Sequence, residues 1–235
     1  DDVGLGVLFG LEGYAYEFAG LLMHAEHLEA VFGVGPHTIS VPRVQPAMDI
    51  DPDAFDNGIP DEMFEKIIAL IRIAVPYTGM IISTRESADL RARALQLGVS
   101  QISGGSRTSV GGYTDEQRPR DTEQFDVSDQ RTLDEVVGWL MDEGHIPSFC
   151  TACYRAGRTG DRFMEFCKSG QISSFCAPNA LITLAEYLAD YASPVTAASG
   201  WQTIERELAL LPEGRRDACA AYIARVRDGE RDFRF

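Results

Sequence analysis

The chain has 235 residues, 45% of them hydrophobic and 24% charged, which is ordinary for a globular protein of one large domain or of one medium and one small. A net charge of −15 argues against nucleic-acid phosphates and anionic membrane surfaces as partners, because both require a basic face. No apolar run approaches the roughly 18 residues needed to span a bilayer, and no secretory leader opens the sequence, so a cytoplasmic location is expected.

Short β-like runs alternate with amphipathic helices over the first hundred residues. Val3–Phe9 reads as a buried strand, and Tyr14–Phe32 as a helix ended by Gly33. Thr38–Arg43 is a second strand, Asp61–Ala74 a second helix stopped by Pro76, Met80–Ser83 a third strand and Ala88–Leu97 a third helix. Val99–Ser103 is the fourth strand. A charged stretch from Tyr113 to Arg131, with Pro119 inside it, reads as a surface excursion before a helix over Leu133–Glu143.

Such βα alternation predicts an α/β fold with parallel strands. Four units are half of an eight-stranded (β/α)8 barrel, and a small doubly wound sheet is the competing architecture. The opening Asp-Asp-Val-Gly-Leu-Gly resembles the interior of a strand, so the chain is expected to be part of a longer protein. The rhythm ends at Gly144, giving an expected division into 1–144, half of a barrel, and 145–235, a mainly helical metal-binding domain. Helices are expected there over Asp161–Lys168, Asn179–Tyr191 and about Gly200–Leu211, followed by a charged tail.

Four of the five cysteines fall between Cys150 and Cys176. Without a secretory signal, clustered cysteines suggest metal before disulfides. In Cys150-Thr-Ala-Cys153 the two-residue gap lets both thiolates reach one centre, and Cys176 follows after 22 residues. Sulfur ligands favour zinc, copper(I) or iron–sulfur. With Cys167 included, four thiolates close a structural site; without it, three leave one iron of a cubane open. Cys167 stands beside Phe163 and Met164 on the apolar face of its helix, where a buried, inert cysteine is expected.

A second candidate is the loop Ser103-Gly-Gly-Ser-Arg107-Thr, leaving the carboxyl end of the fourth strand, where barrel active sites gather. Arg107 offers a fork for a carboxylate or phosphate. Arg43 and Thr84-Arg85-Glu86 lie at the carboxyl ends of the second and third strands. His24 and His27 share a helix face, where surface or packing roles are ordinary. His37 precedes its strand and so lies at the opposite end of the sheet.

Gly-Pro-His-Thr-Ile-Ser-Val-Pro-Arg (35–43), Ile-Ser-Thr-Arg-Glu (82–86), the Gly-Gly-Ser-Arg-Thr loop and Phe-Cys-Thr-Ala-Cys-Tyr-Arg-Ala-Gly-Arg-Thr-Gly (149–160) together resemble the HydG family. These are radical S-adenosylmethionine (SAM) tyrosine lyases that mature [FeFe]-hydrogenases. The related thiamine-pathway 2-iminoacetate synthases share the barrel segments. The resemblance implies cleavage of L-tyrosine to p-cresol and a glycine-derived fragment that yields CO and cyanide, with SAM as co-substrate and other hydrogenase maturation proteins as partners. It implies an auxiliary [4Fe-4S] cluster on Cys150, Cys153 and Cys176, an extra iron that His37 could ligate, and tyrosine and SAM contacts at Arg43, Thr84, Arg85, Ser103 and Arg107. A second [4Fe-4S] cluster would require CxxxCxxC, which these 235 residues do not contain, so the chain alone is expected to be inactive toward SAM. A zinc-stabilised, non-catalytic module is the alternative of a different class.

Overall fold

The computed structural model describes residues 2–47, 49–114, 123 and 125–235, which form two compact units, Asp1–Gln130 and Arg131–Phe235. Compactness thus divides the chain earlier than the expected 144/145 boundary, and the helix that follows Thr132 belongs to the second unit. Residues 115–122 and 124 of the expected surface excursion, Pro119 among them, lie outside the described residues.

The first unit is a parallel sheet of β1 (Gly4–Gly6), β2 (Thr38–Ser40), β3 (Gly79–Ile82) and β4 (Gln101–Ile102), alternating with α1 (Tyr14–Phe32), α2 (Asp61–Ala74) and α3 (Ala88–Gln96). Leu5 pairs with Ile39, Ile39 with Met80, and Ile82 with Ile102. An isolated parallel bridge between Phe9 and Arg43 carries the β1–β2 pairing further. Sequence order is also spatial order, β1-β2-β3-β4. A doubly wound sheet reverses its strand order at a switch point; this sheet does not, and that alternative falls.

Helical periodicity decides which face is covered. Phe64, Ile67, Ile68 and Ile71 recur at α spacing on α2 and are all buried. They join Leu21 and Ala25 of α1, Leu90 and Ala94 of α3, and Ile39, Met80 and Ile82 of the sheet in one core. Ile39 and Met80 are register partners, so the three helices cover the same face of the sheet. Local signals set the helix ends: Gly33 takes φ 71° after α1 and returns its N–H to Glu29, and the Ser87 hydroxyl caps α3 at Leu90.

The second unit is helical: α4 (Leu133–Asp142), α5 (Ala152–Arg155), α6 (Gly160–Lys168), α7 (Ser173–Asp190), α8 (Pro194–Leu208) and α9 (Glu213–Arg227). Thr132 and Glu135 form a capping box on α4, and Ser193 caps α8 with Pro194 following. Buried Leu181, Ile182, Leu184, Ala185 and Leu188 make α7 the central helix, packed with Ile204 of α8 and Cys219, Ile223 and Val226 of α9. Two expectations change here. Helix α7 begins before Cys176 and runs through Pro178, and most of the expected charged tail is α9.

Candidate functional site

Two groups of chemically capable residues emerge, one in each unit. In the first, Arg43, Thr84, Arg85 and Ser103 leave the carboxyl ends of β2, β3 and β4, with Arg107 in the loop beyond β4.

Their environments differ. The Arg43 guanidinium is largely committed. It donates through Nε to Glu86 Oε1 at 3.1 Å and through Nη1 to the Ile59 carbonyl at 2.8 Å, and its Nη2 pairs with Glu86 and, at 3.0 Å, with Asp61. It also lies 4.6 Å from the Phe64 ring centroid. Burial opposes its charge, but Glu86 and Asp61 more than offset that and hold it above the ordinary arginine range. Arg85 stacks over Phe125 at 3.8 Å, and desolvation lowers its pKa. Arg107 is half-buried, with its backbone N–H donating to the Tyr113 hydroxyl at 3.2 Å.

Thr84 and Ser103 are braced by a pair that sequence reading passed over. Arg91, fully buried on α3, donates to both the Asp129 carboxylate and the Ser103 carbonyl, while the Asp129 N–H donates to the Thr84 carbonyl at 3.0 Å. The bottom-up signal was faint: an arginine within a polar helix and an aspartate in a polar loop, 38 residues apart.

His37 sits at the other end of β2. Its N–H donates to Val3 and its carbonyl accepts from Gly79 at 2.9 Å each. The neighbouring Gly35 has a steric cause: a Cβ there would meet the Tyr77 hydroxyl oxygen at 2.1 Å. His24 and His27 are exposed on α1.

In the second unit, Cys150 precedes α5, Cys153 lies within it, and Cys176 is in the first turn of α7. The chain passes through α6 between Cys153 and Cys176. Desolvation raises the Cys150 thiol, with Cys153 adding to the rise and the Ala152 N–H and Arg158 opposing it. Desolvation followed by Cys153 and Cys150 pushes Cys176 up to about 11, against Arg158. Cys176 is nonetheless exposed as a residue, so its thiol stands at the rim of the site. The Ala152 amide lies 3.4 Å from Cys150 Sγ, a donor aimed at sulfur. No set of three His, Cys, Asp or Glu side chains among the described residues is drawn together closely enough to hold a single metal ion. The donor chemistry still suits a cluster: three sulfur donors and an N–H directed at one of them. Cys167 is half-buried on α6, and Cys219 is wholly buried, its thiol donating to the Pro178 carbonyl at 3.6 Å.

Beside Cys150 lies a recess of about 200 Å³ whose lining also includes Phe149, Arg155, Asn179 and Asp232, but neither Cys153 nor Cys176. Phe149, stacked on Tyr187 at 5.0 Å, also borders a larger cavity of about 780 Å³ with Asp134, Tyr191 and Arg231. The final residues close over the helices: Asp232 pairs with Arg155, Phe233 stacks on Tyr222 at 4.9 Å, and the Phe235 N–H donates to Asn179 Oδ1 at 2.9 Å. No helix among the described residues is long and apolar enough to cross a membrane.

Residues 40–146 match the Biotin and Thiamin Synthesis associated domain, a segment that stops short of Cys150. The chain is 28% identical over 149 residues to the 2-iminoacetate synthase of Escherichia coli, and 26% identical over the same length to that of Salmonella typhimurium. Each match covers 63% of this chain and 38% of the relative. The chain is similar over its full length to a crystal structure of HydG, a maturase of the [FeFe]-hydrogenase, with 51% identity and a TM-score of 0.95. It covers 51% of that structure's chain. The HydG of Carboxydothermus hydrogenoformans is 41% identical over 95% of this chain and 47% of its own, with a TM-score of 0.74. The chain therefore spans about half the length of the solved structures it matches and less of the curated relatives.

Proposed function

We propose that this chain is the C-terminal part of a radical SAM tyrosine lyase, combining half of a (β/α)8 barrel with an auxiliary [4Fe-4S] site. The observation that carries the reading is the Cys150-Thr-Ala-Cys153 pair followed by Cys176 in a chain similar end to end to HydG maturases. In the complete enzyme the substrates would be L-tyrosine and SAM, and the products p-cresol and a glycine-derived fragment that yields CO and cyanide. Other hydrogenase maturation proteins would receive the assembled product.

The sequential strand order and the helices on a single face support the barrel reading, because a barrel wall is wound in one direction only. Thr84, Arg85, Ser103 and Arg107, with Arg43, would line the substrate end at the carboxyl edge of the sheet. There the arginines would meet carboxylates, and Arg43 would fix Glu86 as well. Cys150, Cys153 and Cys176 would hold the cluster through thiolates, leaving Cys167 a bystander, and His37 would ligate an extra iron. The cluster, when bound, would supply an open iron site for assembling CO and cyanide.

Two alternatives remain testable. The thiamine-pathway reading is favoured by the 2-iminoacetate synthase similarity, but the cysteines lie beyond the matched domain, and identity to HydG is far higher. Supplying the complementary half and assaying for CO and cyanide, rather than p-cresol and a glycine-derived imine alone, separates these two. Anaerobic reconstitution with iron and sulfide addresses the zinc module. A colourless protein that retains one zinc and requires Cys167 would overturn the cluster reading.

A further inference from the structure

We infer that Arg158 is the positioning charge of the three-cysteine site, a buried guanidinium that offsets the thiolates and sets the reduction potential of the cluster they hold. This rests on the cluster reading of Cys150, Cys153 and Cys176.

Arg158 follows Cys153 by one helical excursion, and its backbone N–H donates to the Cys153 carbonyl at 2.8 Å. Its guanidinium lies 4.5 Å from the ring centroid of Phe175, the residue before Cys176. It is thus held between the two halves of the cysteine set. Nη2 donates to the Phe235 carbonyl at 2.7 Å, which anchors one edge of the fork. The residue is only 7% exposed, and Nε is buried without a hydrogen-bond partner among the described residues.

A buried charged donor left unmade costs more than a neutral one. No Asp or Glu side chain among the described residues pairs with Arg158, unlike Arg43 or Arg91. The Arg158 charge stands between the segment that carries Cys153 and the one that carries Cys176, whose thiolates it would face. Three thiolates leave a cubane with net negative charge, and reduction adds to it. A fixed cation nearby favours the reduced state, since cluster potentials follow net charge, hydrogen bonding and exposure. Lysine could supply the charge but not the fork that reaches Phe235.

The test uses the full chain, reconstituted anaerobically with ferrous iron and sulfide, as wild type, Arg158→Gln and Arg158→Lys. Iron and sulfide content, electron paramagnetic resonance and a mediator titration poised with dithionite are measured on each. Arg158→Gln should hold wild-type iron and sulfide while its midpoint falls, with the reduced-to-oxidised ratio at the wild-type midpoint at least tenfold lower, about 59 mV for a one-electron couple. Arg158→Lys should recover most of that shift. A full cluster in Arg158→Gln with unchanged midpoint and spectrum overturns the role of Arg158 and leaves the cluster reading standing. If Arg158→Gln takes up no iron, Arg158→Lys decides: a cluster near the wild-type midpoint supports the charge role, and loss of the cluster there too overturns it in favour of packing. Absence of any cluster in wild type rejects the cluster reading itself.

Discussion

Arg91 on α3 and Asp129 form an ion pair, 0% and 3% exposed, that ties the Ser103 carbonyl after β4 to the Thr84 carbonyl after β3. The pair acts as a cross-brace beneath the carboxyl ends of two strands. Removing one partner strands a buried charge, so Arg91→Met should cost about 3–5 kcal/mol of unfolding free energy. Replacing both, as in Arg91→Met with Asp129→Leu, should recover most of that loss. Urea titrations of the two variants followed by circular dichroism measure the difference; equal destabilisation would mean the brace acts by shape alone.

Cysteine substitutions should sort by location. Cys150→Ser, Cys153→Ser and Cys176→Ser should each abolish retention of iron and sulfide after reconstitution, because losing any thiolate of a three-ligand site leaves two. Cys167→Ser and Cys219→Ser should keep the wild-type iron and sulfide content. Chemical iron and sulfide assays with visible absorption check all five, and dependence on Cys167 would turn the site into a closed four-thiolate one.

His37 has its backbone fixed by Val3 and Gly79 at the amino end of β2. Its side chain can therefore be changed without unmaking the sheet. In the complete enzyme, His37→Ala should lose the extra-iron resonance while the cubane signal persists. An unchanged extra-iron signal rejects the ligand role.

Much of this architecture could be read from periodicity. The bounds of α1 and α2 follow from apolar spacing and from Gly33 and Pro76, and the CxxC pair announced itself. The rest depended on tertiary contacts. Helix α9 shows only Cys219, Ile223 and Val226 as a buried stripe among charged residues, too thin a pattern to separate from a solvated tail. The expected helix began only at Asn179, and although proline removes a helical donor, the surrounding packing carries α7 through Pro178. Glu86 was visible, but not its capture of Arg43. That pairing needs β2, β3 and α2 in place, and so does the brace on Ser103.

Asp134 gives the second unit a pH-sensitive joint. Desolvation works against its charge, but its carboxylate accepts from the Ser193 N–H at 3.2 Å, the Thr196 hydroxyl at 2.8 Å and the Tyr187 hydroxyl at 3.1 Å. Together these bonds hold it below its ordinary value of 3.8. A depressed carboxylate contributes stability that is fully present above that value and lost as the pH falls through the folded one. Asp134→Asn should therefore flatten the acid limb of the unfolding midpoint while changing the neutral plateau less. The effect should be small, because the carboxylate is only partly buried.

Gly200 sets how closely α8 approaches α7. A Cβ at that position would stand 2.5 Å from Leu188 Cδ2, 2.6 Å from Cδ1 and 3.1 Å from Cγ. Alanine is ordinarily better than glycine inside a helix by roughly 0.5–1 kcal/mol. Overpacking a filled core costs typically 1–3 kcal/mol, and here the whole branch of Leu188 must move, not just one methyl. The steric term wins, so Gly200→Ala should destabilise the second unit by about 1–2 kcal/mol net. Leu188→Ala alone should cost about 2–5 kcal/mol through the cavity it leaves. The double variant should be more stable than the sum of the two losses implies, because the new methyl fills part of that cavity. Thermal and urea unfolding of the four proteins closes the cycle, and simple additivity would show that the two helices do not meet at this pair.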